Sequence, residues 1–594
     1  MIALSAAVAM TPTPAEACGG TFCDGVLPGD MPVNQTGETI LFALDNGFVE
    51  AHVQIEYDGG DAEQFAWLVP VPEIPEVEVG SWRLVQSALA ATVPVYGFEN
   101  NWVCEDMDPP PSTTGVGFIN NPDGGGTSEP EVVAEDVVGA FQYVVLQGGT
   151  SDSVTEWLLD NGYSSDTEAP AILDEYITEG HVFVAFRLRH GLGVEDIHPV
   201  VIRYPGTEAC IPIRLTAVAA EEDMRIRALF LGEDRVVPTN YRHVQLNRTR
   251  LNWLGLGSNY DNLVSMAVDA PGADGRAFVT EYAGASSEVD TTLLDTSSYD
   301  SSVFTDMPVV EVVDTLEQQD LVSCSGPTGC IWLHELASSL VHEFIPVPEG
   351  LTDGEFYSCL SCYAALIDAE AWDAEAFMAA YDERIIAPMQ HANDLLTTWP
   401  YLTRLYTTIS PHEMTSDPMF TENPDLDDVP NRHGAQRNQA CCGNAMQLPG
   451  GRIIALEGTG SAWPDWPEEM PWAERVEEFT VAGGPPISLV DETANIDAMI
   501  ATWNAPRLCS DDDMGTGSST EGGDETSDGP TPPGTTSGVG DGTSGGDGSS
   551  GSEAGQDDTA AGCACNSTSR AGGMGWALML AGMGLGAMRR RRLR

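Results

Sequence analysis

The chain has 594 residues, with 91 acidic against 25 basic side chains, a formal net charge of −66 and no lysine. Nucleic acid and anionic lipid are bound through Lys and Arg that neutralise phosphates, so a surface of this sign repels both, and a nucleic-acid role is excluded. Self-repulsion at this charge works against the compact state and is relieved by salt, which fits a salty habitat.

Residues 1–17 read as the remnant of a signal peptide: an apolar stretch, Ile2 to Met10, precedes an A-x-A cleavage site at Ala15-Glu16-Ala17. The chain lacks the basic n-region of such peptides, which leaves room for a start upstream of Met1. Cys18 follows the cut; Ala15 stands where a lipobox wants Leu, and Cys23 is close enough to be a disulfide partner.

Residues 18–270 form the first half of an ectodomain and read as α+β, with antiparallel sheets and packed helices. His52 to Tyr57 alternates apolar Val53, Ile55 and Tyr57 with polar neighbours, the period-two pattern of a half-buried strand. Phe65 to Val69 is a second strand, and Trp82 to Ala91 a short helix with Trp82, Val85 and Leu89 on one face. From Glu105 to about Pro130 the composition predicts a surface loop. Ser153 and Glu156 have capping-box spacing for a helix that stops at Asn161-Gly162, and Pro170 opens another that Gly180 ends. Strands are then expected at Val182–Leu188, Val200–Tyr204, Ile211–Val218 and Met224–Phe230.

Residues 271–509 read as a cysteine-rich second half of helical and mixed character. Its Phe344-Ile345-Pro346-Val347-Pro348-Glu349 shares a PVPE pattern with Trp67 to Glu73, the sign of an internal echo. Trp372 to Leu396 has helical spacing, with Pro388 kinking it or starting a new segment. Residues 510–561 are an acidic Gly/Ser/Thr linker without a basic residue, expected to be disordered and to span roughly 40 Å as a flexible stalk.

The tail, 562–594, runs Gly562-Cys563-Ala564-Cys565, an apolar segment Ala571 to Met588, then Arg589 to Arg592. About 18 residues at 1.5 Å each make a helix of roughly 27 Å, enough for a short transmembrane span, and the arginines keep its end cytoplasmic. This order resembles the myxobacterial C-terminal sorting signal (MYXO-CTERM). The resemblance implies cleavage near Cys563 by a sorting protease, with the cysteine free for lipid attachment and the protein held at the cell envelope; a plain tail anchor is the alternative.

Of the 13 cysteines, eleven precede the tail, an odd number that leaves one free, intermolecular or paired with it. Export argues for structural disulfides, with Cys18–Cys23 and Cys324–Cys330 as local candidates. Cys359 and Cys362 form a C-x-x-C whose redox reading wants a helix start in a βαβ unit, which the surrounding turn signals do not supply. Cys441 and Cys442 are adjacent and are expected to pair elsewhere rather than with each other.

The quoted segments Ala17 to Cys23, Val69 to Pro72, Glu156 to Tyr163, Tyr176 to Leu188 and Tyr401 to Tyr406 together resemble the bacterial domain-of-unknown-function 2330 family, over most of residues 18–440. That resemblance implies an exported, cysteine-containing protein and brings no activity, cofactor or catalytic residue.

Site chemistry is thin. His334-Glu335 and His342-Glu343 are eight residues apart, too far out of phase for a zincin, and read as helix-surface residues. Asn423, Asp425 and Asp427 alternate as calcium ligands do, without the Gly and distal Glu of a calcium loop; calcium is the only cofactor the sequence suggests. Two functions remain: a non-catalytic surface protein, structural, adhesive or binding an extracellular ligand, or a surface hydrolase using dispersed carboxylates or a His/Asp metal site with His412-Glu413 and Arg432-His433 contributing.

Overall fold

The computed structural model describes residues 21–23, 34–102 and 131–508 apart from short internal stretches, the longest being 161–168 and 189–196. All belong to one unit, Met1–Cys509. The linker, Gly562, Cys563, Cys565 and the Ala571–Met588 segment lie outside the described residues, as do Cys18, Cys441 and Cys442. Among the described residues no helix is long and apolar enough to cross a membrane.

A ten-stranded sheet is the frame. In spatial order its strands are Ile487–Asp491, Ala473–Glu478, Arg242–Leu246, Ala277–Ala285, Tyr401–Ile409, Ala220–Gly232, Asn34–Asp45, Phe48–Asp58, Val200–Pro205 and Glu76–Val79. Strands from both sides of residue 270 therefore pair within one sheet, so the central hydrogen-bond ladder joins the two halves. Pairing is mostly antiparallel; parallel contacts join Asn34–Asp45 to Ala220–Gly232 and Arg242–Leu246 to Ala277–Ala285. The Asn34–Asp45 and Phe48–Asp58 strands are a hairpin with Asp45 opposite Phe48, and its turn needs Gly47 at φ 92°, a conformation open to glycine because it lacks a Cβ.

Both faces of the middle of this sheet are covered. On one side Ile40, Phe42, Ala51 and Val53 meet Val69, Val184 and Phe186 of a five-stranded sheet, a sandwich core in which Phe42 and Phe230 stack at 5.3 Å. On the other, Leu41, Ala43, Leu229 and Leu402 lie under the Trp82–Thr92 and Ala387–Thr398 helices. The His52–Tyr57 segment is thus a strand as expected but not half-exposed: His52, 1% exposed, faces the Ala387–Thr398 helix at His391, and Glu56 is buried against Arg227.

Several local expectations change. Ile211–Val218 is not a strand; Ala209–Cys210 is a two-residue strand and Ile213–Thr216 a helical turn, because Ile213 and Leu215 both pack inward, in two different clusters. The Ser151–Asp160 helix is capped by a reciprocal pair, Thr150 N–H to Ser153 Oγ and Ser153 N–H to Thr150 Oγ1, so Ser153 sits inside the first turn. The buried face of the Trp82–Thr92 helix is Leu84, Val85 and Ala88, with Trp82 and Leu89 at its margins. The PVPE echo is not structural: Phe65–Val71 is a strand, whereas Phe344 ends a helix and 346–349 follow it without regular structure. Trp372 to Leu396 divides as the proline suggests, into Ala374–Tyr381, a π-helical turn Asp382–Ile386, and Ala387–Thr398 with Pro388 in its first turn.

Residues 301–386 build a helical layer with its own core around Phe304, Phe356, Phe377 and Tyr381. Two disulfides clamp it. Cys324 and Cys330 face each other across a two-stranded hairpin, and Cys359 bonds Cys362 at the start of a 3-10 turn outside any βαβ unit. Cys210 is the free cysteine among the described residues; burial pushes its thiol up to about 12, so it stays protonated and inert.

Candidate functional site

Against the Arg242–Leu246 and Ala277–Ala285 strands of the central sheet lies a four-stranded sheet that includes Val95–Trp102 and Arg432–Ala440, and between them opens a cavity of about 590 Å³. Tyr96 and His433 are parallel register partners, both project into the cavity, and their rings stack at 5.0 Å. Strand alternation puts Arg432, one residue earlier, out in solvent. Trp253 fixes Tyr96 edge-on at 5.5 Å. Tyr260, the first residue of the Tyr260–Val268 helix, closes one wall.

A hydrogen-bond relay runs along the floor. Arg235 Nη2 donates to Thr280 Oγ1 at 3.1 Å, and that oxygen lies 3.0 Å from His243 Nε2. Glu477 Oε2, 3.2 Å from His243 Nδ1, only accepts, so Nδ1 carries the ring proton, Nε2 is the acceptor, and the Thr280 hydroxyl that accepts from Arg235 donates its hydrogen to it. Burial holds His243 below the usual histidine value, and burial together with the Arg248 charge brings His433 down to about 4. Both imidazoles are neutral at pH 7.

The fixed positive charge is therefore guanidinium. Arg235 is 9% exposed; its Nη1 donates to the Asp427 carbonyl, and its Nε has no partner among the described residues. Arg248 donates to neutral His433 Nδ1 at 3.4 Å. Neither has a carboxylate in ion-pair range among the described residues, in a chain with 91 acidic side chains. The three carboxylates that line the cavity are already engaged: Glu281 with Arg404, and Glu474 and Asp497 with Arg452.

The residues singled out in the sequence are scattered. Asn423 and Asp425 sit in the loop after Met419–Glu422, where Asn423 Oδ1 accepts from the Asp425 N–H and its amide donates to the Gly484 carbonyl. That loop holds Arg235 through the Asp427 carbonyl. His412 is exposed, and Glu413 closes a capping box with Ser410. His334 is not on a helix surface but is its buried N-cap, Nδ1 accepting from Leu336, while His342 Nε2 bonds Asp353 at 2.8 Å. Of all these, His433 alone enters the cavity. Arg235, Arg248, His243 and Thr280 carried no sequence signal, since only the meeting of the two sheets assembles them.

An α+β protein with a guanidinium-lined cavity at the junction of two sheets is the class so defined. The chain belongs to the family described as an uncharacterized protein conserved in bacteria (DUF2330), whose profile matches residues 13–309. The match contains Tyr96, Arg235, His243, Arg248 and Thr280, and stops short of His433 and of the Tyr401 to Tyr406 segment on which the resemblance also drew. No curated protein and no solved structure matches the chain.

Proposed function

We propose that this is an exported protein, displayed on a stalk at the bacterial surface, that binds a small organic anion in the cavity around Arg235 and Arg248. One observation carries the reading: a guanidinium buried at the cavity with an unpartnered Nε and no carboxylate in ion-pair range among the described residues. An arginine so placed is a fork of donors suited to a carboxylate, and an anion there recovers the hydrogen bond that burial has left unmade. Tyr96 and Tyr260 give an apolar body an aromatic wall. The engagement of Glu281, Glu474 and Glu477 supports binding over hydrolysis by a free carboxylate. Export and anchoring rest on the A-x-A site and on the cysteine, apolar segment and arginine order of the tail.

The test is a thermal-shift screen of the full chain with matched pairs, each an organic acid and its neutral ester or amide. An acid present at 100 times its Kd adds about 2.7 kcal/mol of stability, and its neutral partner adds nothing. Equal shifts from both members of every pair overturn the proposal.

A further inference from the structure

Far from the cavity in the sheet order, Glu50 and His52 stand two residues apart on the Phe48–Asp58 strand and therefore project from one face. They face the Ala387–Thr398 helix, which contributes His391 from above. His52 Nε2 lies 2.8 Å and His391 Nε2 2.6 Å from the same atom, Glu50 Oε1. The two rings are nearly parallel, 15° apart with centroids 5.9 Å from each other. All three donor atoms lie within 4.8 Å of one another, and among the described residues no other three His, Cys, Asp or Glu converge in this way.

We propose that Glu50 Oε1, His52 Nε2 and His391 Nε2 bind one zinc-class divalent cation, with a fourth position open to water. Two imidazoles and a carboxylate are the donor set of three-ligand zinc sites, and mixed N/O donors favour zinc over calcium. Access is built in: the Glu50 and His52 side chains are 7% and 1% exposed, while that of His391, at 39%, opens the site to solvent. The donor atoms now sit at hydrogen-bond distance, shorter than the about 3.3–3.6 Å edges of a tetrahedron with 2.0–2.2 Å bonds, so binding spreads them by about 0.5–1 Å. Protons hold the three groups together where a cation can do so. Ligation moves the His52 ring proton to Nδ1, which has no partner among the described residues; that bare N–H is the cost the coordinate bond offsets. Arg203, 3.9 Å from Glu50 Oε2, keeps the other carboxylate oxygen oriented. The π-helical turn Asp382–Ile386 immediately precedes the helix that carries His391, and such turns often mark functional positions.

The experiment is equilibrium dialysis of the full chain against Zn²⁺ with 100-fold excess Ca²⁺ to occupy surface carboxylates, followed by elemental analysis. One equivalent of zinc is expected to remain. His391→Ala and Glu50→Gln, each checked for fold by circular dichroism, should weaken it at least 10-fold, and His391→Asn replaces His391→Ala if that variant does not fold. Cobalt in place of zinc gives an independent reading on the unmodified protein, with visible absorption bands of four-coordinate geometry. Zinc that calcium displaces, an affinity unchanged in the folded variants, or cobalt with only a hexa-aquo spectrum overturns the proposal.

Discussion

Arg235 and Thr280 are joined at 3.1 Å, and the hydroxyl that accepts this bond donates its own hydrogen to His243 Nε2, so one threonine links the buried guanidinium to the imidazole. Thr280→Val leaves a buried guanidinium donor and an imidazole nitrogen unpaired, and is expected to cost about 1–3 kcal/mol. Thr280→Ser keeps the hydroxyl and should cost less than about 1 kcal/mol. Denaturant unfolding of the two variants checks the contrast; equal losses mean that the methyl group, and not the relay, matters there.

Glu38 supplies a pH dependence of known sign. It is buried, its Oε2 has no partner among the described residues, and desolvation, with the Glu56 charge adding, raises its carboxyl from 4.5 to about 7. The folded state therefore holds this proton more tightly than the unfolded chain. The penalty is absent below about pH 4.5, grows as pH rises to about 7, and is constant above, on the order of 3 kcal/mol. Glu38→Gln removes the titration, so its stability advantage over the parent should grow between pH 4.5 and 7 and then level off. An advantage independent of pH contradicts the assignment.

Buried histidines act in the opposite direction. Burial brings His198 down to about 4 and His334 to about 3, so each folds neutral while the unfolded chain takes up a proton below about 6.5. Their contribution is complete above pH 6.5 and is lost as pH falls toward 4. His198→Phe should flatten the acid limb of the stability curve measured in a Glu38→Gln background, and an unchanged limb would place the loss elsewhere.

The two disulfides each close a short loop in the 301–386 layer, at sequence separations of 6 and 3. Chain-entropy arguments give about 2 kcal/mol each. Reduction should lower the melting temperature, and Cys330→Ser should reproduce part of the drop; identical melts with and without reductant contradict a structural role.

Net charge gives a further expectation. Raising sodium chloride from 0.1 to 1 M shortens the screening length from about 10 to about 3 Å and should stabilise the fold of a chain at −66. A falling stability would mean that local ion pairs such as Arg214 with Asp417 outweigh the global repulsion.

The sequence carried the class of the fold and missed its site for a physical reason. Period-two alternation located the Phe48–Asp58 strand, yet alternation cannot say whether the polar face meets water or a helix. His52 reads as the polar side of a half-buried strand until the Ala387–Thr398 helix is placed over it. Cys324 and Cys330 were legible because a short loop brings partners together without the rest of the fold. Ile211 to Val218 was misread because alternation over eight residues also fits a helical turn held between two cores. Arg235, Thr280 and His433 come from three separate stretches of chain, and no local pattern encodes the meeting of two sheets.

The central claim, an anion site at Arg235 and Arg248, is tested most directly by calorimetric titration of one organic acid and its amide into the parent protein and into Arg248→Met. The Arg248 side chain makes one hydrogen bond among the described residues, at 3.4 Å, so its replacement should spare the fold. The expected result is that the parent binds the acid at least 10-fold more tightly than the amide and that Arg248→Met erases this preference. A variant that still prefers the acid as strongly as the parent contradicts it.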